Sequence, residues 1–223
     1  VLVEDCVELV RAAAAAAGRS SFTFRGLSCD PFRPWRVLTV ADAFAEYAGI
    51  DLLAAYDGTH DPDPAPLAAA AERAGVTPHA GDRWEDIVFR VLFERIEPHL
   101  GAGVPCVLTD YPLCMAALSR PKPDDPRLAE RFELYACGLE LANAFGELTD
   151  PAAQRARFDA DMALKERLYG NRFPVDEDFL AALEHGMPES AGIALGFDRL
   201  AMLCAGVERI EDVLWAPVAS ARA

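Results

Sequence analysis

Lysine is nearly missing from this chain of 223 residues: only Lys122 and Lys165 carry it, and 21 Lys plus Arg stand against 36 Asp plus Glu. A formal net charge of −15 argues against a surface that grips nucleic acid mainly by its phosphates, because such binding needs clustered cations. The six cysteines (Cys6, Cys29, Cys106, Cys114, Cys137, Cys204) include no CxxC pair, and His60, His79, His99 and His185 form no ligand pair. Zinc or a disulfide framework is therefore not expected, and inert thiols are. Long apolar runs are missing as well. The uncharged stretch 12–18 is mostly alanine, too short and too weakly apolar to cross a bilayer. No basic segment leads into an apolar one with a small-residue cleavage site, so the cytoplasm is the expected location. An initiator Met is absent too, and the first residues already read as helix, which suggests a processed or truncated chain. What remains, 52% hydrophobic and 26% charged residues, describes a folded domain with a substantial core.

Residues 1–103 read mainly as helices joined by loops rich in Pro, Gly and Asp, and 104–223 as a second segment of strands and helices. Leu2, Cys6, Leu9 and Val10 fall on one side of a first helix. Thr39 suits the cap of a short helix over VADAFAEYAGI, whereas the three prolines of His60 to Pro66 predict a loop. Trp84, Ile87, Val88, Val91, Leu92 and Ile96 share one face of a helix predicted over 82–99, before Gly101. VPCVLTDYP reads as a buried strand, and Gly138 as the turn between two antiparallel strands. Pro151 starts a helix with Phe158, Met162 and Lys165 on one face, and Asp176 caps a second that stops at Gly186. AGIALGF is then a strand that feeds a helix, DRLAMLCAG.

Two constellations carry chemistry. Glu133 and Glu140 flank the Gly138 turn, with Asn143 and Glu147 following beside the small Ala142 and Ala144. Carboxylates this close on an apolar sheet are costly without a cation, and magnesium with ATP phosphates plus an amine substrate would satisfy them. On pattern alone, a solvated strand face explains the acids as well. The second constellation is Gly192 to Leu200, where small residues at alternate positions make a flat floor and Arg199 offers a planar cation for adenine or phosphate. Asp198 suits the helix start. A strand–helix junction with an ordinary ion pair would look the same.

Together and in this order, ERFELYACGLELANAFGELTD and SAGIALGFDRLAMLCAG resemble the two C-terminal blocks of class II lysyl-tRNA synthetases, the second being the third class-defining motif. LTDYPLCMAALSR and DPRLAERFELY are similar to the substrate-pocket strand and the connection after it. The resemblance covers 104–217 well and 1–103 loosely. It implies an α+β fold with an antiparallel sheet flanked by helices. It further implies that Glu133 and Glu140 hold magnesium on ATP, and that Glu140, Leu141 and Gly196 border the nucleotide. Arg199 would stack on adenine, Asn143 would orient the substrate, Glu147 would receive an amino group of lysine, and Tyr111 would line its pocket. Ala194 in GIALG, with ELANAF, resembles the branch that lysylates elongation factor P, in which the added methyl would favour β-lysine over α-lysine.

The implied reaction is adenylation of lysine or β-lysine with ATP and Mg2+, then transfer to a lysine of elongation factor P, with tRNA binding not expected and no membrane involved. The resemblance also implies an earlier dimer-forming motif and an arginine motif that grips the α-phosphate. Neither is found in 1–40, where Arg25, Arg33 and Arg36 do not match, so half the site is expected before Val1 and the full-length form is expected to be a homodimer. A non-catalytic paralogue acting as a binding module, or a fragment of a true lysyl-tRNA synthetase, are the alternative readings.

Overall fold

A stripe at four-residue spacing sets the first element, α1 (Leu2–Ala16), which buries Cys6, Val10 and Ala14. Leu9, expected on that face, lies off the stripe and is 46% exposed. The computed structural model describes residues 1–216; the end of the second segment, 217–223, lies outside the described residues. Three strands follow where helices and loops were expected: β1 (Phe22–Phe24) and β2 (Leu27–Cys29), which form a hairpin, and β3 (Arg36–Thr39). At three or four residues each, they are too short for an alternating pattern to show.

Thr39 caps α2 (Val40–Ala48) by accepting the Asp42 N–H, and Gly49 ends it in the left-handed conformation. Helix α3 (Pro64–Arg73) begins inside the stretch read as a loop. Pro64 stands at its first position behind Asp63, whose carboxylate accepts the Ala65 N–H. A proline there sacrifices no helical hydrogen bond. Helix α4 (Trp84–Val91) continues through a wide turn at Leu92–Ile96 and a tight one at Glu97–His99. All six residues of its predicted apolar face are buried.

β4 (Cys106–Pro112), β5 (Leu128–Ala136), β6 (Leu139–Gly146) and β7 (Ala191–Leu195) extend β3 into a five-stranded sheet of order β3-β4-β5-β6-β7. Its pairs from β4 onward are antiparallel, as expected, but β3 runs parallel to β4. A parallel pair needs a long crossover, and α2 to α4 supply it. Cys137 and Gly138 make the predicted turn with positive φ. Between β6 and β7 lie α5 (Pro151–Tyr169) and α6 (Glu177–His185), the latter capped by Asp176 as expected. Helix α5 buries Gln154 and Leu164, while the predicted face of Phe158, Met162 and Lys165 is only half-buried. Helix α7 (Phe197–Ala205) follows β7.

Successive strand residues face opposite ways, so the sheet serves two cores. Leu108 and Tyr135 pack with Phe44, Leu67 and Trp84 of the crossover helices. Val107 and Leu134 pack on the other side with Val10, Phe22 and Leu200. The first core draws nothing from β6 or β7. There the sheet is open, with Asn143 half-buried and Ala194 exposed.

Candidate active site

Two irregularities in the sheet decide which side chains meet. Residues three apart on a regular strand face opposite ways. Yet Glu140 pairs with Tyr135 and Asn143 with Glu133, because Leu141 is an extra residue in β6. The bulge turns Glu140 and Asn143 to one face and buries Leu141 and Ala142 together on the other. A second irregularity lies at Asp110, whose φ is +61°: Thr109 pairs with Phe132 but Tyr111 with Ala129. It brings Tyr111 round to the same face as Leu108 and Glu133. Asp110 is held there by Lys122 Nζ at 2.6 Å.

Glu133 is 7% exposed, and the chain itself answers the cost of burying it. Arg131 Nη2 donates to Oε1 at 2.6 Å, and the Tyr111 and Tyr135 hydroxyls donate to Oε2 at 2.6 and 2.7 Å. Burial first, and Glu133 second, push both tyrosine hydroxyls above their ordinary range, so they stay protonated donors. The compensation expected from a metal thus comes, at Glu133, from Arg131. Tyr111 stands behind the opening, fully buried, rather than on its wall. Arg131 also donates Nε–H to Asn143 Oδ1 at 3.3 Å and lies 4.3 Å from the centre of the Tyr111 ring.

Glu140 is more open. Arg199, from the first turn of α7, donates to the Glu140 carbonyl at 2.8 Å and lies 3.4 Å from its Oε2. The arginine stem runs over Gly196, where a Cβ would sit 3.3 Å from its Cδ. Leu141 meets this region only through its backbone, its carbonyl accepting the Gly196 N–H at 2.8 Å. A carboxyl not singled out in the sequence, Glu97, joins the group from the turn after α4. Burial, then the charges of Glu140 and Glu133, raise it above its usual range, and Arg199 opposes them. Among the described residues, no three His, Cys, Asp or Glu side chains form a metal cage.

Beyond Asn143, small residues of β7 stand opposite larger ones of β6. Ala194 is the cross-strand partner of Asn143, and Gly192 of Phe145. Glu147 lies just past β6, bridged to Ser119 and donating its N–H to the Ser190 carbonyl. Its carboxylate rests on Gly192: a Cβ built there would come 2.7 Å from Oε1. Glu147 is half-buried. The structure thus gathers Glu133, Glu140, Asn143, Ala194 and Arg199 along the open side of β5 to β7, with Glu147 at the far end and Tyr111 beneath. Arg131 and Glu97 are the additions. Neither carried a usable sign: an arginine alternating with Glu133 on a strand looks like solvated surface, and an acid before Pro98 at a helix end is unremarkable.

The tRNA synthetases class II (D, K and N) match residues 4–220. A lysine–tRNA ligase of Dehalococcoides mccartyi is 40% identical over 202 residues, covering 90% of this chain and 39% of the relative. A lysine–tRNA ligase of Moorella thermoacetica is 38% identical over 222 residues, 97% of this chain and 42% of the relative. The elongation factor P–(R)-beta-lysine ligase of Proteus mirabilis is 42% identical over 183 residues, 81% of this chain and 54% of that protein. The chain spans about two fifths of the length of the lysine–tRNA ligases it matches. With its α+β sheet and a family match that runs nearly from end to end, this chain belongs to the tRNA synthetases class II (D, K and N).

Proposed function

We propose that this chain supplies part of an ATP-dependent ligase site that activates lysine or β-lysine as its adenylate and passes the acyl group to a lysine of elongation factor P. The observation that carries the reading is the Glu147 carboxylate, half-buried over Gly192, with no side-chain cation on it among the described residues. A carboxylate so placed is best satisfied by an ammonium group. The names of the relatives, lysine–tRNA ligase and elongation factor P–(R)-beta-lysine ligase, support an aminoacylation-type ligase acting on lysine.

In this reading the amino-acid carboxylate attacks the ATP α-phosphorus and pyrophosphate leaves. No side-chain nucleophile is needed, so positioning and charge carry the catalysis. Magnesium fits the site: after burial, the charges of Glu140 and Glu133 add to the upward shift of Glu97, and a cation relieves that part of it. Glu140 would hold it, backed by Glu133, and it would neutralise phosphate charge. Arg199, its stem laid over Gly196, offers a planar face to the adenine ring. Ala194 adds a methyl to the floor between nucleotide and amine, which would shape the choice between α- and β-lysine.

The acidic surface favours a protein acceptor over tRNA, since a net charge of −15 repels a polyphosphate backbone. The 40% identity to a lysine–tRNA ligase favours tRNA as the second reading. The test is ATP–pyrophosphate exchange with lysine and β-lysine, run on the chain in its full coding context. Exchange that needs either amino acid and disappears in Glu147→Ala supports the proposal. Equal exchange in that variant would remove Glu147 from the amine site. Labelled lysine offered to elongation factor P and to tRNA then separates the two acceptors.

A further inference from the structure

Asn143 sits between Arg131 on β5 and the open floor at Ala194 on β7. A guanidinium carries only donors, so it can meet a side-chain amide only through the amide oxygen. The Arg131 Nε–H does so, at 3.3 Å from Oδ1. The amide nitrogen, with both its N–H groups, is therefore turned away from Arg131.

Arg131 has little freedom to do otherwise. Nη2 donates to Glu133 Oε1 and Nη1 to the Met115 carbonyl, each at 2.6 Å. Its charged carbon lies 4.3 Å from the Tyr111 ring centre and 5.6 Å from that of Phe145, and its side chain is 11% exposed. Glu133 is in turn pinned by two tyrosine hydroxyls. Orientation thus passes from the tyrosines to Glu133, to Arg131, and on to Asn143.

We propose that Arg131 is a positioning residue: by holding the Asn143 oxygen inward, it makes the site present a hydrogen-bond donor, the Asn143 amide nitrogen, to an acceptor oxygen of the amino-acid substrate. The identity of that substrate rests on the function proposed above; the orientation does not. An unrestrained asparagine can turn over and exchange donor for acceptor, and facing an anionic oxygen the turned-over amide would repel what it should hold. A rigid fork on three acceptors removes that ambiguity.

Two variants and one spectrum test this. Arg131→Lys keeps a cation opposite Glu133 but gives a point donor that cannot span Glu133, Met115 and Asn143. Asn143→Asp keeps an acceptor for Arg131 and replaces the outward donor with an acceptor. Side-chain amide NMR of the 15N-labelled protein, with the Asn143 signal identified by its loss in Asn143→Asp, reads the geometry without catalysis. The expected result is an Asn143 amide whose protons exchange freely with water and shift on adding lysine. In exchange kinetics, Arg131→Lys raises the lysine KM roughly ten-fold with a smaller change in kcat. Asn143→Asp loses saturation by lysine while melting no lower than the parent, because a carboxylate binds Arg131 more strongly than an amide does. Asn143 amide protons protected from exchange and blind to lysine would overturn the orientation. So would an Arg131→Lys enzyme with unchanged lysine KM. Free amide protons in a protein that shows no lysine-dependent exchange would uphold the orientation and sink lysine as the substrate.

Discussion

At the residue scale, the tightest relation in the site is between Glu147 and the missing side chain of Gly192. A Cβ there would stand 2.7 Å from Glu147 Oε1, closer than two such atoms can rest. The obstacle is the far end of a flexible side chain, so Gly192→Ala is expected to displace the carboxylate rather than the strand. The lysine KM should rise about ten-fold, the loss of one well-placed charged contact, while the melting temperature holds. A large fall in melting temperature with KM unchanged would make Gly192 a packing residue instead. Ala194→Gly removes one methyl from the same floor, and such a change is worth about 1–3 kcal/mol of discrimination. Competition between lysine and β-lysine in ATP–pyrophosphate exchange should therefore move toward α-lysine in that variant, and an unmoved ratio would relegate Ala194 to packing. The residues behind both predictions were legible in the sequence because each was an oddity there: acids among apolar neighbours, small residues where a strand prefers branched ones. Arg131 was not legible, since an arginine in a strand of alternating charge looks like solvated surface until the fold buries it against Glu133.

At the scale of elements, the long units were legible and the short ones were not. The α4 face and the Gly138 turn follow from periodicity and one glycine, whereas β1 to β3 offer three or four residues each and take their conformation from partners far along the chain. The Leu141 bulge belongs to neither class. No local pattern shows that one residue of ELANAF is surplus, yet that surplus puts Glu140 and Asn143 on one face. The turn holding these strands is itself hung on the segment before β4: the Cys137 and Gly138 N–H groups donate to the Gly101 and Leu100 carbonyls at 2.9 and 2.8 Å. Gly101 has φ +73°, and a Cβ there would meet Ala136 Cα at 2.6 Å and the Tyr135 carbonyl at 2.7 Å. Those are backbone atoms and cannot swing aside. Gly101→Ala should therefore cost about 3 kcal/mol or more in urea unfolding, combining left-handed strain with overpacking. Gly103, at φ +80° with nothing within 4 Å of its would-be Cβ, is the control. Alanine there should cost about 1 kcal/mol, from backbone strain alone. Equal losses at the two positions would dismiss the steric argument.

For the whole molecule, the excess of acid sets how stability responds to pH, and the carboxyls fall into two groups of opposite sign. Asp82 is held below its usual range by the His79 N–H and then Arg90, Glu177 by Arg155, and Asp125 by Arg127. Each adds stability that is present above its unfolded value and is lost as pH falls through its lowered folded value. Glu97 has the other sign. Burial, Glu140 and Glu133 raise it, so between its ordinary value and the raised one the folded state binds more protons than the unfolded state, and stability falls as pH rises. At a pH above its ordinary value, Glu97 is a standing cost to the folded state, sustained beside the carboxylates proposed to face magnesium. Glu97→Gln, which imitates the protonated form, should therefore melt higher than the parent at pH 7. That gain should shrink as pH falls and vanish below the ordinary glutamate value of about 4.3, where Glu97 is protonated whether the chain is folded or not. Magnesium should raise the melting temperature of the parent more than that of the variant, because a cation near Glu140 relieves a repulsion the variant no longer has. Melting curves from pH 4 to 8, with and without magnesium, decide it. A variant that melts lower at pH 7, or that gains equally at every pH, would mean that Glu97 is not held against its neighbours' charge.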